Sequence, residues 1–144
     1  MPRPKNNSSH EPSDKEICRK IDEAIIAIDS TDSTPVIIDD RHTQPAFAFL
    51  GCSDLDTLYD WVQTFLHEIK NIGPVSCFAG TAGRYVKRCD HSTFEDLFLY
   101  PYAFDSPTLG KTVYLKFGIR KSETEGTLTF TYMHLNCHAN RPRR

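Results

Sequence analysis

In the run KTVYLKFGI, residues 111–119, the alternation holds without a break from Thr112 on. Val113, Leu115, Phe117 and Ile119 are apolar, and Thr112, Tyr114, Lys116 and Gly118 stand between them. A period of two over eight residues scatters apolar side chains around a helix but lines one face of a strand. TLTFTYMH, residues 127–134, repeats the pattern after the polar loop RKSETEG. The two runs predict a long antiparallel hairpin in which Leu128, Phe130 and Tyr132 face the core as Val113, Leu115 and Phe117 do. Tyr114 and Lys116 then share the other face. Strict alternation places His134 on the core side, away from Tyr114, unless the strand ends or bulges near Met133.

The first half of the chain has helical spacing instead. Ser13-Asp14-Lys15-Glu16 has the form of a capping box, and Ile17, Ile21, Ala24, Ile25 and Ile28 follow on one stripe. This predicts an amphipathic helix over 14–29, ended by STDSTP. A second stripe, Leu55, Leu58, Tyr59, Val62, Phe65, Leu66 and Ile69, predicts a helix capped by Ser53 and closed near Asn71, Gly73 and Pro74. Between the helices, PVIID and PAFAFLG read as short strands. After them, PVSCFA and RYVKR flank the turn GTAG as an antiparallel pair, and EDLFLY is a strand stopped by Pro101.

The expected fold is α+β, with two N-terminal helices packed on one face of a mostly antiparallel four- to five-stranded sheet. A chain of 144 residues supplies one core, so 13–138 is read as a single domain. Residues 1–12 read as a flexible tail and 139–144 as a basic one.

At 39 % apolar and 25 % charged residues, the chain has the balance of a globular protein, not a disordered one. No apolar run reaches the roughly 18 residues that cross a bilayer, so no membrane is expected. The polar start, MPRPKNNSSHEPSDKE, has no secretory core. Five scattered cysteines without a CxxC pair fit a reduced compartment. A cytoplasmic location follows from these expectations. Residues 1–83 hold seven Lys/Arg against thirteen Asp/Glu, and residues 84–144 ten against six. A basic second half on an acidic first half fits a surface that meets a polyanion, although three of the ten charges lie in the terminal tail.

The chain has no P-loop, GxGxxG, GxSxG, HExxH or EF-hand loop, and no cofactor is expected. Cys89, His91, His134, Cys137 and His138 could supply tetrahedral zinc ligands if their two segments met. Their spacing matches no zinc fold, and polar residues near strand ends explain them equally, so no metal site is assigned. A cationic and phenolic set is the richer one: Arg84, Lys87, Arg88, Glu95, Tyr114, Lys116 and His134. RNA cleavage needs only a base for the 2′-hydroxyl, cations for the phosphorane charge and an acid for the leaving 5′-oxygen. When the 2′-hydroxyl is the nucleophile, the reaction needs no metal.

The run Asp90-His91-Ser92-Thr93-Phe94-Glu95-Asp96-Leu97-Phe98, then a proline, then Val113-Tyr114-Leu115-Lys116, resembles the C-terminal half of MqsR-type ribonuclease toxins, part of the RelE-like mRNA interferases. The resemblance spans roughly residues 84–134. It implies a metal-independent RNA-cleaving toxin whose catalytic tyrosine is Tyr114, with RNA as substrate and an acidic antitoxin as partner. It aligns Lys87 with the family's upstream lysine. Glu95 stands where the family has glutamine, and Met133 or His134 where it has a closing-strand lysine. In this reading Tyr114, Glu95, His134 and Lys87 are catalytic, and Lys116, Arg84 and Arg88 bind RNA. Glu95 also fits as the third following residue of a second capping box, Ser-Thr-Phe-Glu. The alternative function is a non-enzymatic cytosolic module whose exposed sheet face binds protein or nucleic acid.

Overall fold

The first helix, α1 (Asp14–Asp29), begins where Ser13 Oγ accepts a hydrogen bond from the Glu16 amide at 3.1 Å. The reciprocal half of the expected capping box is not made. The Glu16 carboxylate instead accepts hydrogen bonds from His10 Nε2 (2.9 Å) and the Tyr100 hydroxyl. The computed structural model describes residues 9–29, 37–38, 47–48, 50–51, 54–89, 97–121 and 126–138. Helix α2 (Leu55–Ile72) is capped by Asp54, not Ser53, which lies outside the described residues. Asp54 Oδ1 accepts the Thr57 amide at 2.8 Å, and that bond holds its carboxyl below the ordinary range. Gly73, at φ 124°, closes α2 through its amide to the Ile69 carbonyl.

Pro74 then starts a further helical turn, α3 (Pro74–Cys77). Proline at the first helical position gives up only an amide that has no intrahelical partner, so PVSC is helical and not the expected strand. The GTAG turn therefore closes a much smaller hairpin, Thr81 against Tyr85. Three residues stand between that pair, and the first two, Ala82 (φ 54°) and Gly83 (φ 82°), both take positive φ. Residues 47, 48 and 50 are helical as well. Phe47 and Leu50 both meet the core, and three apart is the spacing of one helix face.

Strands β1 (Ser9–His10), β2 (Ile37–Ile38), β3 (Val86–Arg88), β4 (Phe98–Asp105), β5 (Thr112–Lys121) and β6 (Leu128–His138) form one six-stranded sheet in the order β1-β3-β4-β5-β6-β2. All neighbours are antiparallel except β2, which runs parallel to β6. Ser9 and His10, inside the segment read as a tail, pair with Lys87 and Val86.

Pro101 does not stop β4. Its carbonyl accepts the Ala79 amide at 3.0 Å. In a strand the N and C=O of one residue point the same way, so the missing proline N–H also lies on the Ala79 side and the ladder to β5 stays whole.

The main core joins Ile17, Ile21, Ala24, Ala27 and Ile28 of α1 and Leu58, Val62, Phe65, Leu66 and Ile69 of α2 to one parity of the strands: Tyr100, Tyr102, Phe104, Val113, Leu115, Phe117, Ile119, Met133, Leu135 and Cys137. Burying each large side chain contributes about 1.5–3 kcal/mol. Tyr102 is fully buried, stacks on Phe117 and donates its hydroxyl to the Ile17 carbonyl at 2.8 Å.

The long hairpin forms as expected, but its register does not stay regular. Phe117 pairs with Met133 and Gly118 with Tyr132, and then Ile119 pairs with Phe130. Thr131 is the extra residue of a β-bulge. Leu128 packs toward the main core, whereas Tyr132, four residues on, belongs to a second cluster with Cys89, Leu97 and Leu99. A regular strand would put Leu128 and Tyr132 on the same face; the bulge inverts the parity of everything after it. Tyr132 and His134 thus leave the core side on which alternation places them, and the Phe130 side chain lies outside those described.

Candidate functional site

The inverted parity gives the second sheet face its contents. Along β5 that face carries Tyr114, Lys116 and Gly118, and their partners on β6 are Asn136, His134 and Tyr132. On the other side Tyr114 faces Ala103, and Lys116 faces Pro101. Lys87 pairs with Leu99 one strand further out. A cavity of about 100 Å³ opens among Ala79, Thr81, Tyr85, Lys87, Arg88, Leu99, Pro101, Tyr114 and Lys116. Its walls come from four places: the segment after α3, the Thr81–Tyr85 turn, β3–β4 and the middle of β5.

Gly118 sets one end of the site. A Cβ there would lie 2.5 Å from Leu97 Cδ2 and 2.9 Å from Leu99 Cδ2, so only glycine lets these leucines come down onto the strand beside Tyr132. Gly80 sets another limit, because a Cβ would fall 2.8 Å from the Tyr85 carbonyl. The apolar cluster thus closes the face at one end, and the narrow turn walls the cavity.

Four candidate residues converge here. Tyr114, Lys116 and Lys87 line the cavity. His134 stands beside two of them: its ring meets Tyr114 edge-on at 5.4 Å between centroids, and Lys116 is its partner across the strands. Among the described residues the Lys87 and Lys116 ammonium groups have no carboxylate partner, and the Tyr114 hydroxyl has no hydrogen bond. Burial pushes the Tyr114 phenol above its ordinary pKa, so it holds its proton at neutral pH. The arrangement can therefore attract an anion, offer a phenolic proton and present an imidazole.

The other expected residues are placed differently. Arg88 contributes to the cavity lining, but its guanidinium lies over Phe98, 4.5 Å from the ring centroid. Arg84, exposed on the turn, lies 5.4 Å over the Tyr85 ring and does not line the cavity. Glu95, with its alternative capping box, lies outside the described residues, as does His91. Of the zinc candidates whose side chains are described, Cys137 is buried in the main core, on the face opposite His134, and Cys89 is buried in the second cluster. Among the described residues no group of three or more His, Cys, Asp or Glu could hold a metal ion.

Sequence reasoning missed Tyr85, Thr81, Pro101 and Asn136. Tyr85 was legible, since it stands two residues from Lys87 and so shares its face. Asn136 was not, because its face depends on the bulge.

Among the described residues no helix is long and apolar enough to cross a membrane. Compared with family models, curated proteins and solved structures, the chain matches none.

Proposed function

We propose that the protein cleaves RNA without a metal, by attack of a ribose 2′-hydroxyl on the adjacent phosphate. One observation carries this reading. The bulge at Thr131 sets His134 beside Tyr114 and Lys116, and these two line a cavity together with Lys87. His134 takes the proton of the 2′-hydroxyl, and the freed oxygen bonds to phosphorus. Lys87 and Lys116 offset the added charge of the five-coordinate phosphorus. Tyr114, still protonated, donates to the 5′-oxygen as the P–O5′ bond breaks. The products are a 2′,3′-cyclic phosphate and a 5′-hydroxyl. Arg84 and Arg88 hold neighbouring phosphates, and Glu95 is the alternative base. The helices cover the core-side face of the sheet and leave this one to RNA.

The resemblance of residues 84–134 to MqsR-type toxins supports the same reading, with a cytoplasmic setting and an acidic antitoxin over the basic face. The second reading, a binding module without catalysis, draws on the same two lysines, which have no carboxylate partner among the described residues. Purified protein incubated with single-stranded RNA and a chelator separates the two. Cleavage is expected, with a loss on the order of 10²-fold or more for His134→Ala and for Tyr114→Phe. Expression alone is expected to arrest growth, and the double variant Tyr114→Phe, Lys116→Ala to relieve the arrest. Folded protein that binds RNA and leaves it intact would establish the module instead.

A further inference from the structure

We propose that Asn136 reads the nucleobase next to the scissile phosphate, and that the base is adenine. This rests on the RNA-cleaving reading above and extends it to specificity. Asn136 pairs with Tyr114 across the β5–β6 ladder, while Leu135 and Cys137 on either side of it are fully buried in the main core. Its side chain therefore stands on the site face, half-buried. Among the described residues its amide makes no hydrogen bond. Asparagine is depleted in strand interiors because its side chain competes for backbone hydrogen bonds and packs poorly. Asn136 is the ninth residue of the eleven-residue β6, and among the described residues nothing occupies its amide.

The placement fits a nucleotide. Asn136 is two residues along β6 from His134, roughly 7 Å at strand spacing. That separation is comparable to the span from a phosphate to a neighbouring base. With the phosphate among Lys87, Lys116 and His134, the base falls beside Tyr114 and Asn136. A carboxamide offers a donor and an acceptor side by side, which matches the N6 donor and N7 acceptor of adenine in a two-bond pair. A half-buried amide also discriminates well, because a wrong base leaves it unpaired and shielded from water. Guanine presents two acceptors on the corresponding edge and satisfies only the donor half.

The test uses the full chain and four single-stranded RNA oligonucleotides that differ only at the base beside the cleaved bond. Cleavage rates are measured on these, and binding by anisotropy on versions with a 2′-deoxy sugar at the cleavage point. Wild type is expected to favour adenine by roughly tenfold or more. Asn136→Ala should bring the four rates together, with the rate on adenine falling most. Asn136→Asp, which only accepts, should move the preference toward cytosine through its N4 donor. An unchanged preference in Asn136→Ala overturns the proposal, and so does an equal loss on all four bases, which is what a merely structural role predicts. Wild type that cuts nothing but binds the adenine oligonucleotide best, with the preference lost in Asn136→Ala, refutes cleavage and sustains base reading. Wild type that neither cuts nor binds overturns both.

Discussion

Replacing Gly118 with alanine should destabilise the protein and loosen the end of the candidate site, although the same change in an open strand would stabilise it. Alanine in a strand interior ordinarily gains about 0.5–1 kcal/mol over glycine by restricting the unfolded chain. Here the new methyl would meet Leu97 at 2.5 and 2.9 Å and Leu99 at 2.9 Å. Two of those atoms are branch methyls, but both leucines are buried, at 8 % and 6 % exposure, and share their cluster with Cys89 and Tyr132. Overpacking of this kind costs about 1–3 kcal/mol, and the net loss is about 1 kcal/mol once the glycine term is subtracted. For a chain of this size that is about a 3 °C fall in Tm. Urea denaturation followed by circular dichroism measures it directly. The decisive comparison is a double-mutant cycle with Leu97→Ala, which removes two of the three clashing atoms: the pair should be coupled favourably by about 1 kcal/mol. A Gly118→Ala protein as stable as wild type, or a cycle without coupling, would refute the close approach of β4 to β5.

Other expectations follow from groups outside the site. Burial by itself raises the Glu16 carboxyl, but the hydrogen bonds from Tyr100 and His10 outweigh it and hold the group below its ordinary value. Its stabilising contribution is therefore full above the ordinary glutamate value of about 4.3 and is lost as pH falls through the lower folded value. Wild type should lose its stability advantage over Glu16→Gln across that acid window, and parallel stability curves for the two proteins would count against the assignment. Ala82, at φ 54° in the Thr81–Arg84 turn, occupies a backbone region unfavourable to a residue with a Cβ. Ala82→Gly should stabilise by about 0.5–1 kcal/mol in the same urea assay, and a loss of stability would mean that the turn does not have this conformation.

The alternation of 111–119 and 127–134 and the two apolar stripes were enough to predict two helices, a long hairpin and an α+β fold, because period two and period three to four are properties of local geometry. Tyr114 and Lys116 were legible together for the same reason, as residues two apart on one strand. Local rules also decided the near misses. Pro101 reads as a stop, yet it is tolerated because its missing N–H points to the side of the ladder that needs no donor. Gly73-Pro74 reads as an end, yet it begins α3.

Whether His134 and Asn136 join Tyr114 lay beyond the sequence. That depends on one extra residue, Thr131, and nothing in TLTFTYMH marks where a bulge falls. The bulge is settled by packing at a distance. Met133, Leu135 and Cys137 fill the main core opposite Phe117, Leu115 and Val113, while Tyr132 fills the space over Gly118 beside Leu97 and Leu99. Pattern alone therefore determined the β5–β6 hairpin and which face of β5 is polar. Tertiary packing decided which residues of β6 meet that face, since a one-residue shift moves every later side chain across the sheet and only the burial of both clusters selects between the two outcomes.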